Sequence, residues 1–267
     1  MADLRYRGPE YRRALASPDP LDPMVHPEPG APPRLYRVLV AILAFILPRL
    51  FRIEIVGREN IPAHPYLIAC NHQRWFDPLF LVIAFPRAPM IYSMAKRETV
   101  FNTAWKRALV PLMGVFPISP HQGELDQGAV DTVYRLLSRG GVVLIFPEGR
   151  YSRGRALRPL KKGVAHFALQ AGVPICPVAI EGLDRLRPLG RVRVSIGEAV
   201  SPAPPAWWAA SRRVSQTVEE VRVAILRAFR RDPERARRPG LIDRWRARVW
   251  RRTPASASSL GKPPGST

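Results

Sequence analysis

Residues 70 to 80 read CNHQRWFDPLF, and two of them are equipped to move a proton: His72 and Asp77, five positions apart. Imidazole is the side chain whose charge changes near neutral pH. As a general base it needs a partner to fix its tautomer and steady the imidazolium it becomes. A carboxylate is the common choice. Between the two stand Trp75 and Phe76, which suit the floor of an apolar pocket or a surface facing lipid. Spacing alone leaves a second reading open. Asp77 is also a good N-cap, and Pro78 suits the first position of the helix it would open. Cys70 reads as a small buried residue rather than a nucleophile. No further His, Cys, Asp or Glu falls at a spacing that would complete a metal site.

A histidine and an aspartate so placed need a strand to carry one and a helix to carry the other. YLIAC (66–70) is short, apolar and flanked by prolines, and so predicts a buried strand. DPLFLVIAF (77–85) predicts a helix. Further strands are expected in FRIEIVG (51–57), MIYSM (90–94), MGVFPIS (113–119), GGVVLIFPEG (140–149), VPICPVAI (173–180) and RVRVSIG (191–197). Helices are expected over 98–110, 124–138, LKKGVAHFALQAG (160–172, ending at Gly172) and 211–231. This alternation predicts an α/β domain over 52–232, with a mixed, mostly parallel sheet flanked by helices.

The strand at 142 runs into FPEGRYS (146–152). Gly149 lets backbone amides approach a ligand, and Arg150 and Arg153 offer charge for a phosphate. Taken with the His72 segment, this stretch completes an ordered set. NHQRWFD, GVFPIS (114–119), FPEG (146–149) and VPICPVAI together resemble the four motifs of the glycerolipid acyltransferase family, the 1-acylglycerol-3-phosphate acyltransferases.

The resemblance implies transfer of an acyl chain from acyl-CoA or acyl-carrier protein to the hydroxyl of a lysophospholipid. 1-Acylglycerol-3-phosphate is the leading acceptor, with phosphatidic acid as product. Another hydroxyl or amine acceptor, or an inactive lipid-binding relative, is the alternative. His72 would deprotonate the acceptor and Asp77 would orient His72. Glu148, Gly149 and nearby basic groups would bind the acceptor's phosphate, with no metal and no cofactor beyond the thioester donor. Two departures bear on the acceptor. Pro120 stands where the second motif usually has an arginine. Arg150 and Tyr151 replace the Thr and Arg of the usual F-P-E-G-T-R-S, so Arg150, Arg153 and Lys161 are the candidates to supply the missing charge.

The rest of the chain fits a surface role. Residues 1–33 hold eight prolines and read as a disordered arm. RLYRVLVAILAFILPRLF (34–51) predicts a helix that lies in or dips into one leaflet, with a helix packed on the domain and free of lipid as the alternative, since its unbroken apolar run, Val38 to Leu47, is ten residues and a span needs about 20. The net charge is +21, and of 42 basic residues 37 are arginine. Residues 233–267 form a basic tail with Leu241, Ile242, Trp245 and Val249 on one helical face. Such a charge favours an anionic membrane surface or nucleic acid. With no nucleic-acid-binding motif in the chain, the expectation is peripheral or monotopic attachment at the cytoplasmic face of a membrane.

Overall fold

In the computed structural model, described for residues 8–16, 32–119, 127–152, 156–201 and 210–230, seven strands form one sheet. Pro120, Arg153 and the tail 233–267 lie outside the described residues. The strands are β1 (Arg52–Val56), β2 (Tyr66–Cys70), β3 (Ile91–Lys96), β4 (Val115–Ile118), β5 (Val142–Ile145), β6 (Ile175–Glu181) and β7 (Arg191–Ile196), in the order β1-β7-β6-β2-β5-β3-β4. Every neighbouring pair is parallel except β6 and β7, which pair antiparallel with Val178 opposite Ile196. The mostly parallel α/β sheet expected from the alternation is therefore present.

β2, β5 and β6 lie together at the middle, in register as Leu67 beside Val143 and Ile175. Both of their faces are covered, which is why they read as continuous apolar runs rather than alternating ones. One face buries Leu67, Ala69, Val143, Ile145, Ile175 and Ala179 beneath α6 (Gln127–Ser138), α7 (Gly163–Ala171) and α8 (Ala210–Arg230). The other buries Ile68, Cys70, Leu144, Cys176 and Val178 beneath α2 (Arg34–Leu50) and α3 (Asp77–Val82). α7 stops where expected: Gly172 takes a left-handed φ of 63°, and its N–H caps Ala168.

Three expectations are corrected. The arm 1–33 is not wholly unstructured, because residues 9–16 form α1 (Pro9–Ala16). Tyr11 and Ala14, three apart on one face, bury themselves against α6 and α7, where Tyr11 meets Tyr134 edge-on at 5.7 Å. Glu10 binds His166 at 2.8 Å, and Arg13 binds Asp131 at 3.3 Å. Two helical turns carry too little pattern to stand out among prolines. Second, the helix expected over 98–110 is two: α4 (Arg97–Val100) and α5 (Ala104–Leu109), separated by the buried Phe101. Third, Asp77 is not the N-cap of α3. Phe76 holds that place, and the Asp77 carboxylate turns back into the preceding loop.

α2 has two apolar sides. Tyr36, Val40 and Leu47 face the protein, while Val38, Ile42, Phe45 and Leu50 are exposed. Among the described residues no helix is long and apolar enough to cross a membrane.

Candidate active site

The loops after β2, β5 and β6 meet at the carboxyl edge of the sheet, where open α/β folds place their ligands. His72 leaves β2, Glu148 sits in the turn after β5, and Leu183 and Asp184 follow β6.

The loop from His72 to Asp77 folds on the carboxylate it carries. Asp77 is fully buried, and its Oδ2 lies 2.7 Å from Nδ1 of His72. The same carboxylate accepts the backbone N–H groups of Gln73 at 2.6 Å and Arg74 at 3.0 Å. With Asp77 accepting, Nδ1 carries the hydrogen and the lone pair sits on Nε2. The side chain of His72 keeps 17% exposure.

Neighbouring residues fix this loop from both sides. Asn71, buried, accepts the N–H of Ile180 at 2.7 Å and donates to its carbonyl at 3.0 Å, tying the end of β2 to β6. Gln73 Oε1 accepts from Leu183 N at 2.9 Å. On the β5 side the tie is Glu148. Its Oε1 accepts His72 N at 2.9 Å and Ser152 Oγ at 3.2 Å, and its Oε2 accepts Arg158 N at 2.8 Å. Ser152 N returns a bond of 2.6 Å to the His72 carbonyl. Both oxygens of Glu148 are thus engaged by protein donors, and the side chain is buried. Asn71, Gln73 and Ser152 were missed in the sequence; the available signal was polar residues flanking a histidine in an otherwise apolar run.

The basic candidates sit on the outer side of the same turn. Gly149 has a φ of +66°, and a Cβ there would stand 2.9 Å from Cε of Lys161. The lysine stem therefore lies over the glycine, held by the bond of Lys161 N to the Pro147 carbonyl at 2.8 Å. Arg150 and Lys161 are both exposed.

Cys70 offers no nucleophile. It is fully buried, and its thiol is pushed well up, first by burial and then by the charges of Asp77 and Glu148. Among the described residues no group of three or more potential metal ligands comes together.

Between α2, α3 and the sheet lies an apolar pocket lined by Leu39, Leu43, Pro78, Leu79, Met113 and Leu144. Pro78 adjoins Asp77 directly. Trp75, at the tip of the loop, is 73% exposed, with its ring edge-on to Phe76 at 5.4 Å.

Residues 52–181 match the protein-family model described as Acyltransferase. Over 142 residues, 52% of this chain and 40% of the relative, the sequence is 26% identical to the chloroplastic 1-acyl-sn-glycerol-3-phosphate acyltransferase BAT2 of Brassica napus. It is 31% identical over 144 residues to the 1-acyl-sn-glycerol-3-phosphate acyltransferase of Saccharomyces cerevisiae, covering 50% of this chain and 44% of the yeast protein. The chain thus spans less than half the length of these two curated relatives. The crystal structure of the 1-acyl-sn-glycerophosphate acyltransferase PlsC from Thermotoga maritima superposes with a TM-score of 0.52 at 20% identity, over 80% of this chain and 86% of that one, and shares its fold.

Proposed function

We propose, from the similarity of this chain to the glycerolipid acyltransferase family, that it moves a fatty acyl chain from a thioester to the free hydroxyl of 1-acylglycerol-3-phosphate, giving phosphatidic acid. The observation that carries this reading is the 2.7 Å contact between His72 and a fully buried Asp77 at the carboxyl edge of the sheet. In the proposed step Nε2 of His72 takes the hydroxyl proton as the oxygen attacks the thioester carbonyl. The tetrahedral intermediate collapses, its C–S bond breaks, and the leaving thiolate takes the proton back from the imidazolium. Asp77 holds the ring in the required tautomer throughout. No acyl-enzyme is invoked, in keeping with the burial of Cys70.

The acceptor's phosphate is assigned to the outer side of the Gly149 turn, where Arg150 and Lys161 are exposed, with Arg153 following in sequence. The apolar pocket lined by Pro78, the residue after Asp77, is assigned to an acyl chain. The donor is acyl-CoA or acyl-carrier protein. Membrane attachment is assigned to the outward apolar side of α2 and to the basic tail, at the cytoplasmic face. The test is acyl transfer by the full-length protein in vesicles, with both donor types and a panel of lysophospholipid, monoacylglycerol and amine acceptors. Transfer to lysophosphatidate that disappears in His72→Ala supports the proposal. A wild type that prefers an acceptor without phosphate overturns the choice of substrate.

A further inference from the structure

Two aromatic rings close on the imidazole of His72. Phe146 lies 3.8 Å from it, centroid to centroid, and 16° from parallel, so it covers one face of the ring. No second ring fits on that face. Tyr151 approaches from elsewhere, 4.5 Å away and tilted by 58°. With Asp77 on Nδ1, the imidazole is held at one edge by a carboxylate and against two rings. Tyr151 is nevertheless 53% exposed, so the core does not account for its position. Its place is set by the next residue, because Ser152 donates both to the His72 carbonyl and to Glu148. Partial burial, and then the charge of Asp77, raise the Tyr151 phenol above its ordinary value and keep it neutral. A neutral π-face suits an imidazolium. The arginine that the related motif usually carries at this position would bring a second positive charge to it.

We propose that Tyr151 is a positioning residue for the general base: with Phe146 it forms an aromatic clamp that keeps Nε2 of His72 directed at the acceptor hydroxyl. The proposal rests on the assignment of His72 as that base. Without one wall the ring can swing about its side-chain torsions, and the Nδ1–H···Asp77 bond loosens.

The test compares Tyr151→Ala and Tyr151→Phe in the full-length protein in vesicles, with Michaelis constants for donor and acceptor measured separately. The phenylalanine variant is expected to keep kcat within about twofold, and the alanine variant to lose roughly tenfold in kcat, the upper worth of one aromatic contact. Both Michaelis constants stay near those of the wild type, and so does the unfolding temperature. An independent reading comes from the imidazole N–H correlations of ¹⁵N-histidine-labelled protein in nanodiscs. The His72 Nδ1–H signal is expected to stay sharp in Tyr151→Phe and to broaden in Tyr151→Ala. An unchanged kcat in Tyr151→Ala, a phenylalanine variant as slow as the alanine one, a change confined to the acceptor's Michaelis constant, or a sharp signal in the alanine variant each overturns the clamp. The spectrum decides even if the wild type acylates none of the acceptors, an outcome that would count against the proposed function instead.

Discussion

At the residue scale, Asp77 does three things with one carboxylate: it accepts from His72, Gln73 and Arg74. Asp77→Asn puts an amide donor where one of these bonds needs an acceptor. A stranded buried donor costs about 1–3 kcal/mol, so this variant should lose stability as well as turnover. His72→Ala should lose some stability too, since Asp77 loses a partner, but its main loss is in turnover, by about 10² to 10⁴, the usual worth of a general base. Urea melts beside transfer rates show how much of each loss is stability, and near-normal transfer by His72→Ala would end its assignment. Glu148 and Arg150, adjacent but for one glycine, should part in the same assays. Glu148→Gln loosens the loop and lowers kcat and stability together. Arg150→Ala should raise the Michaelis constant for lysophosphatidate by roughly 10- to 150-fold, as loss of one charged hydrogen bond does, with the melt unchanged. The sequence showed His72 and Asp77 because their types and spacing are chemistry in themselves. It could not show Asn71 or Phe146 in their roles, since each acts on a group brought to it by strand pairing: Ile180 lies 109 positions from Asn71. The two thiols add a pH dependence. Burial pushes Cys176 up to about 12 and Cys70 upward as well. The unfolded chain gives up these protons from about pH 9 while the folded one keeps them. This part of the stability is therefore complete below that pH and drains as pH climbs toward 12. Cys176→Ala should flatten the fall in urea midpoint over that window.

At the scale of elements, local signals and pairing part company. Each strand was legible because a short apolar run between turn residues has few alternatives, and α7 because Gly172 supplied its stop. Strand order was not legible, nor was the antiparallel turn of β7 against β6, since partners are chosen by tertiary contact. α4 and α5 read as one helix because Phe101, buried between them, fits a helical pattern as well as a break. α2 makes a prediction of its own. Val38, Ile42 and Phe45 are exposed on its outer side. Replacing all three with serine should leave the melting temperature unchanged and reduce partitioning onto vesicles at least about tenfold, given roughly 1.5–3 kcal/mol for each large apolar side chain fully buried. Equal partitioning of variant and wild type would remove α2 from the attachment.

For the whole molecule, charge and apolar surface act together. The net charge is +21, and residues 212–252 hold 14 arginines against five acidic residues. Basic groups at an anionic surface contribute about 1 kcal/mol each and are screened by salt. Binding to vesicles rich in phosphatidylglycerol should therefore weaken steeply with added salt, and binding to neutral vesicles should not. Deleting residues 234–267 should reduce the salt-sensitive part and leave the part due to α2. A deletion that binds anionic vesicles as tightly as the full chain would show that the tail's charge is solvated. Composition made the charge legible at the outset; where the tail goes lies outside the described residues.

The ties around His72 have a consequence for inheritance. Glu148 takes the N–H of Arg158, Asp77 those of Gln73 and Arg74, and the His72 carbonyl that of Ser152. What is gripped is main chain, which nineteen of the twenty amino acids supply alike. Arg158, with its side chain exposed, can drift through almost any codon without disturbing the loop. Proline alone has no hydrogen to give there and would orphan one oxygen of Glu148. A saturation library selected for activity should thus return a tolerant column at 158 with a single gap at proline. The His72 loop is held in a way that leaves lineages free to rewrite the surface over it.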